Sequence, residues 1–83
     1  MTHPRPLPRT VEVCTLDVAK LLLQLYLDDR GHDIRRRRFK RAQVADWEIR
    51  CRRCDRAGFI LRLSRGRFLL HGAAMEFECK GSE

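Results

Sequence analysis

The segment Arg50-Cys51-Arg52-Arg53-Cys54-Asp55 carries two thiols separated by two residues, directly after a stretch that alternates like a strand. This C-x2-C spacing is typical of one half of a tetrahedral metal site, which takes four thiolate or imidazole ligands. The other two ligands have to come from elsewhere in the chain. A metal would matter here, because a chain of 83 residues buries too little surface to be stabilised comfortably by its core alone.

The candidates for the missing pair are Cys14, His32, His71 and Cys79. We predict that His32 and Cys79 complete a zinc site with Cys51 and Cys54, since both lie far enough from the C-x2-C for a hairpin or strand pair to bring them back. Cys14 adjoins an apolar helix, where a free cysteine is more often a small buried hydrophobe. It remains an alternative ligand. A further alternative is that the cysteines are simply buried apolar residues and bind no metal.

Residues 16–30 are predicted to form a helix that is apolar on nearly every side. Thr15 can cap its start, and Gly31 can end it in a left-handed conformation. At about 100° per residue, its polar residues fall in one narrow stripe. They are Asp17, Lys20, Gln24 and Asp28. Since a small sheet covers only one flank, we expect a partner interface, to a second copy or another protein, at Leu21, Leu22, Leu25 and Tyr26. The alternative is a helix wedged between the sheet and the N-terminal segment.

Alternating apolar and polar residues predict short strands at 11–13, 46–50, 58–64, 68–71 and 75–79, with a turn at residues 64–67. In the last strand, Cys79 would share an inward face with Met75 and Phe77. The predicted fold class is α+β, with one N-terminal helix packed on a small antiparallel sheet. Residues 1–10, which contain all three prolines, are predicted to be a flexible arm, and residues 11–80 a single zinc-binding domain whose β-rich part covers about 31–79.

The net charge of +7 is concentrated in residues 30–67, where fourteen Arg or Lys face four acids. Such a concentrated positive field favours a polyanionic partner, most commonly nucleic acid, although a solvated arginine-rich face is the simpler alternative. Phe39 and Trp47 could stack on exposed bases, but Trp47 alternates with Ile49 like a core residue. The predicted phosphate contacts are Arg35, Arg36, Arg37, Arg38, Lys40, Arg41, Arg52, Arg53, Arg62, Arg65 and Arg67.

Catalysis is not expected. No P-loop, nucleophile elbow or paired carboxylate occurs, and a redox C-x2-C would require a βαβ pattern. The zinc-deaminase pattern fails because Ile34 and Arg50 replace its Glu and Pro. With no secretory signal and no apolar run of about 20 residues, we expect a cytoplasmic protein with no membrane association.

The chain resembles zinc ribbons of Cys3His type found in small bacterial and phage proteins. The matching residues are Gly31-His32, Trp47, Cys51, Arg52, Arg53, Cys54, Gly72 and Cys79, covering roughly residues 31–79. The resemblance implies a metal site and a ribbon-like sheet. This chain departs from the family's pattern at Asp33-Ile34, where a more hydrophobic continuation is usual, and at Asp55, where the pattern has Gly. Neither departure removes a ligand, and the leucine-rich helix lies outside the match.

Two functional hypotheses follow. The first is a zinc-stabilised basic module that binds DNA or RNA mainly through phosphate contacts. The second is a small protein-binding adaptor or phage-type inhibitor that docks on a nucleoprotein machine through its apolar helix and Arg-rich patch. A homodimer through the same helix is compatible with either.

Overall fold

A computed structural model of the protein describes residues 10–79. Its elements in order are β1 (Thr10–Val13), α1 (Leu16–Asp29), β2 (Trp47–Arg50), β3 (Ala57–Ser64), β4 (Arg67–His71) and a short α2 (Ala73–Glu76). The strands form one antiparallel sheet in the order β1-β4-β3-β2. The predicted α+β class is therefore confirmed. The predicted arm lies outside the described residues, apart from Thr10 at the start of β1.

Helix α1 begins and ends where the local signals place it. The backbone N–H of Val18 donates to Thr15 Oγ1 at 3.1 Å, which caps the first turn. Gly31 has φ +75° at the other end, and its N–H donates to Asp28 O at 3.0 Å. The N–H of His32 donates to Leu27 O at 3.0 Å, which completes a Schellman motif. This motif fixes the position of His32 relative to the helix.

The core lies between α1 and one face of the sheet. Its buried residues are Ala19, Leu23, Leu27, Ile49, Ile60, Leu70, Ala74 and Met75. The helix approaches β3 closely at Gly58, where an added Cβ would lie 2.7 Å from Leu23 Cδ1. A larger residue at position 58 would push α1 away from the sheet.

The prediction of a strand at 75–79 is wrong. Gly72 adopts φ +127° and ends β4, and residues 73–76 turn into α2, with Met75 N donating to Gly72 O at 3.0 Å. Ala74 and Met75 are both buried, which a single turn of helix allows and an alternating strand does not. Phe77 is 53% exposed rather than inward-facing.

The basic segment after α1 is a loop held against the fold. Arg37 N donates to Ile34 O at 3.0 Å to form a turn, and Lys40 exchanges two backbone hydrogen bonds with Glu48 of β2. The Lys20 ammonium of α1 lies 4.7 Å from the Trp47 ring centroid and 5.7 Å from that of Phe39. Both aromatic rings are half-buried. Neither described helix is long and apolar enough to span a membrane.

Candidate metal centre and basic face

Four metal-ligating side chains meet at one end of the sheet. His32 follows α1, Cys51 and Cys54 follow β2, and Cys79 follows α2. Their ligand atoms all lie within 4.8 Å of one another. The structure therefore brings together the four residues predicted to bind the metal. Cys14 is exposed and does not belong to this cluster.

Backbone hydrogen bonds hold the three segments together independently of a metal. Arg52 N donates to Asp33 O at 2.9 Å, which joins the loop after His32 to the C-x2-C turn. Cys79 N donates to Arg30 O at 2.9 Å, which anchors the last ligand to the end of α1. Cys79 therefore joins the cluster, but it is only partly buried and does not share an inward face with the exposed Phe77 as predicted.

The C-x2-C turn supports its own thiols. Cys51 N donates to Arg56 O at 2.8 Å across the turn, and Asp55 adopts φ +63°, the left-handed conformation expected of the residue that replaces Gly there. Cys51 Sγ accepts hydrogen bonds from the backbone N–H groups of Asp33 at 3.2 Å and Arg53 at 3.3 Å. Such N–H groups stabilise negative charge on a sulfur.

Two separations within the cluster are close to those expected around a tetrahedral ion. Zinc–ligand bonds of about 2.3 Å to sulfur and about 2.0 Å to nitrogen imply a separation of roughly 3.8 Å between two sulfurs and roughly 3.5 Å between sulfur and nitrogen. Cys51 Sγ lies 3.7 Å from Cys79 Sγ, and Cys54 Sγ lies 3.3 Å from His32 Nδ1. His32 and Cys51 are only 3% and 1% exposed, so two of the four donors are closed to solvent. A partly buried set of four protein donors fits a structural site.

The electrostatics favour a thiolate at Cys51. Burial acts to raise the pKa of its thiol, but the backbone N–H groups of Cys54, Arg53 and Asp33 oppose burial and lower the pKa to about 6. At Cys54, burial and the neighbouring Cys51 and Cys79 sulfurs raise the pKa of the thiol. Of these two thiols, Cys51 is therefore the one whose surroundings favour negative charge, and a bound cation would favour the thiolate form further.

All eleven predicted phosphate contacts are exposed, but the structure places them in two groups. The first, which we call the proximal basic face, adjoins the metal centre and consists of Arg35, Arg36, Arg37, Arg38, Lys40, Arg52 and Arg53. Arg36, Arg37, Arg38 and Lys40 line a cleft of about 300 Å³ with Glu48 and Arg50. Arg37 Nε donates to Arg50 O at 3.1 Å, which ties the loop to the end of β2.

The remaining predicted contacts lie away from this cleft. Arg65 lies in the β3–β4 turn and Arg67 begins β4, at the opposite end of the eight-residue strand β3, which spans about 23 Å. Arg67 Nε lies 2.7 Å from Glu12 Oε1, so its charge is already paired. Arg62 and Arg41 lie between the two ends, with the Arg41 guanidinium 5.4 Å from the Trp47 ring centroid.

Sequence reasoning missed two residues of the site. Arg50 lines the basic cleft, and its position opposite the buried Ile49 on β2 was the signal that could have placed it on the polar side. The backbone carbonyl of Phe77 accepts a hydrogen bond from His32 Nε2 at 2.8 Å. No side-chain pattern could reveal this contact, because it depends on where α2 ends.

The fold and the site together define an α+β fold with a Cys3His cluster that could hold a metal ion. No protein-family model, curated protein or solved structure matches the chain. The resemblance to zinc ribbons therefore rests on the residues and on the clustering of His32, Cys51, Cys54 and Cys79.

Proposed function

We propose that this protein is a zinc-stabilised basic module that binds nucleic acid mainly through phosphate contacts. The observation that carries the proposal is the position of the proximal basic face, whose loop is joined by backbone hydrogen bonds to the segments that carry the metal ligands. A metal that holds these segments would also hold the arginines in place. The metal would thus act through the fold, and the arginines would make the contacts.

Zinc is the ion that the donor set favours. Three thiolates and one imidazole suit a soft or borderline cation, whereas magnesium and calcium prefer oxygen ligands. Four protein ligands leave no open position for substrate, which supports a structural role. In zinc-finger peptides such a site contributes on the order of 10 kcal/mol to folding. This contribution is comparable to or larger than the whole free energy of unfolding expected for a short chain with a small core.

The positive charges of the side chains that line the cleft are only partly neutralised by acidic side chains. Glu48 is the one acid among the six residues that line it, and its Oε2 lies 3.0 Å from Arg50 Nη2. Arg36, Arg37, Arg38 and Lys40 therefore present their charges to solvent. Guanidinium groups match the geometry of phosphate oxygens and can bind them in a bidentate manner. Because no feature of the cleft indicates base readout, we propose binding through the sugar–phosphate backbone.

The salt dependence of binding tests this proposal. Fluorescence anisotropy with labelled DNA and RNA oligonucleotides is measured between about 50 and 200 mM salt, where each phosphate contact contributes about −0.9 to the slope of log K against log salt. We expect the triple variant Arg36→Ser, Arg37→Ser, Arg38→Ser to make that slope shallower by about 2 to 3.

The matched control removes three charges from the other group, in Arg62→Ser, Arg65→Ser, Arg67→Ser, and should change the slope less. Metal content and the unfolding midpoint of both variants establish that the fold is retained. Affinity that does not change with salt, or equal effects of the two triple variants, would contradict the proposal.

A protein-binding adaptor is the second candidate, and the exposure of the helix favours it. Leu21 and Leu25 of α1 are 57% and 54% exposed, and Val18 lies beside them. Exposed leucines in a row are typical of a surface that meets another protein. If the variant Leu21→Glu, Leu25→Glu loses a co-purifying protein but keeps its affinity for nucleic acid, the adaptor is favoured.

A further inference from the structure

Phe77 is the one exposed aromatic side chain of this protein. The four phenylalanines, the tryptophan and the tyrosine of the chain all lie within residues 10–79, and all except Phe77 are half-buried. Phe77 is 53% exposed, although burial of a phenyl ring is strongly favoured in water. A single exposed apolar side chain is common on protein surfaces, so the surroundings of this ring decide its interpretation.

The Phe77 ring is held in place by the backbone on which it stands. Its N–H donates to Ala73 O at 2.9 Å, and its carbonyl oxygen accepts from His32 Nε2 at 2.8 Å. The Arg56 guanidinium lies 5.2 Å from the ring centroid, and Arg56 Nη1 donates to Glu78 O at 2.9 Å. The ring is therefore positioned before any ligand binds, with a cation against it.

The ring adjoins the proximal basic face. His32, which bonds to the Phe77 carbonyl, also lines a pocket with Arg35 and Arg53 of that face. Arg56, which lies against the ring, closes the C-x2-C turn that carries Arg53, because its carbonyl oxygen accepts from the first cysteine of the turn. A chain of phosphates bound to the basic face can thus bring an attached base to the ring.

The two aromatic residues for which the sequence suggests base stacking are less suitable. The Trp47 ring has the Lys20 ammonium 4.7 Å and the Arg41 guanidinium 5.4 Å from its centroid. The Phe39 ring has Lys20 at 5.7 Å, and both rings are half-buried. Phe77 is therefore the aromatic side chain that presents the most open surface to a base.

We propose that the ligand of the proximal basic face is single-stranded nucleic acid, one base of which stacks on Phe77. This inference rests on the proposed function and adds the ligand class, which phosphate contacts leave open. A base can stack on a side chain only where its own face is free, as in a single strand, because neighbouring base pairs cover it within a duplex. Stacking tolerates any base, in agreement with a face that shows no base readout.

Fluorescence anisotropy with a thymidylate strand of about 12 nucleotides and a duplex of the same length tests the proposal. We expect Phe77→Leu to weaken binding of the strand about fivefold or more and to leave binding of the duplex unchanged, since leucine is apolar but has no π-face. Phe77→Tyr should retain wild-type affinity. The control Leu63→Ala removes an exposed apolar side chain near the far end of β3 and should change neither affinity.

The salt dependence separates this inference from the proposed function. Phe77→Leu removes no charge, so the salt slope for the strand should stay at its wild-type value. Equal losses for strand and duplex in this variant, or no loss for either, would overturn the stacking while leaving phosphate binding intact. Affinity that does not respond to salt would overturn the proposed function itself.

A measurement on the wild type is independent of any effect of the substitution on the fold. Irradiation of the complex with a strand that carries 5-iodouracil joins a base to the side chain that it contacts, and mass spectrometry of the digested product locates the link. We expect the link at Phe77. Links confined to other residues, or none, would overturn the proposal.

Discussion

His32 and Phe77 are 45 residues apart in the sequence, yet His32 Nε2 donates a hydrogen bond to the Phe77 carbonyl oxygen at 2.8 Å. Because a carbonyl only accepts, the imidazole carries its proton on Nε2 and leaves the Nδ1 lone pair facing Cys54 Sγ at 3.3 Å. This contact fixes the orientation of the ring and leaves Nδ1 as the nitrogen that could bind a metal.

The tautomer of His32 is the first prediction. Two-bond ¹H–¹⁵N spectra of the zinc-loaded protein should show His32 with a protonated Nε2 and a metal-bound Nδ1, since the Phe77 carbonyl holds the proton on the other nitrogen. His71 provides an internal comparison, because it does not belong to the cluster. Metal bound through Nε2 of His32 would contradict the arrangement.

Gly72 is predicted to tolerate substitution far less well than Gly31. A Cβ at position 72 would overlap the Ala57 carbonyl oxygen, and its φ of +127° is open essentially only to glycine. At Gly31, φ is +75° and an added Cβ meets no atom within 4 Å, so Gly31→Ala should cost only about 1 to 2 kcal/mol. We expect Gly72→Ala to cost more than about 2 kcal/mol, because the overlap adds to the strain.

Denaturant unfolding of the zinc-loaded variants measures both costs. Equal losses of unfolding free energy in the two variants would contradict the packing described for Gly72, since only that position adjoins β3. Loss of metal in Gly72→Ala would accompany a displaced α2, because Cys79 follows that helix.

His71 is predicted to make stability depend on pH. Burial lowers the pKa of its imidazole below the usual 6.5, and its ring stacks on Phe59 with the centroids 5.3 Å apart. The folded protein therefore binds this proton less readily than the unfolded chain does. The stability that His71 contributes is complete above about pH 6.5 and is lost as the pH falls below that value.

Thermal unfolding at pH 7.5 and 5.5, with zinc in constant excess, isolates this contribution when the wild type is compared with His71→Gln. Between pH 7.5 and 5.5, the unfolding midpoint temperature of the wild type should fall further than that of His71→Gln. An imidazole that titrates above 6.5 in the folded protein would reverse the sign of the prediction.

Local signals in the sequence account for the main elements of the fold. Thr15 and Gly31 mark the ends of α1 through side-chain capping and a left-handed backbone, and these effects act within one helical turn. The alternation of apolar and polar residues predicted β2. In the structure Ile49 is buried while its neighbours in the strand are not, as this alternation implies. α2 was missed because Met75-Glu76-Phe77 alternates like a strand, and the φ of Gly72 that redirects the chain is invisible to periodicity.

The need for four donors showed that the C-x2-C pair required two more ligands, but it did not identify them. Cys79 was chosen for its distance from Cys54 in the sequence and for a predicted strand that the structure replaces with α2 and an irregular segment. The sequence treated the arginines as one patch, although the predicted hairpin already implied that Arg65 and Arg67 lie far from Arg52.

Metal stoichiometry of the folded protein tests the central claim most directly. Native mass spectrometry should find one zinc ion per chain in the wild type and in Cys14→Ser, whose thiol lies outside the cluster, and none in Cys51→Ser or Cys79→Ser. Circular dichroism of the same samples should show that chelation unfolds the wild type, because the metal supplies a large share of the folding free energy. Wild-type protein that is folded without metal, or a Cys51→Ser variant that retains its zinc, would contradict the account.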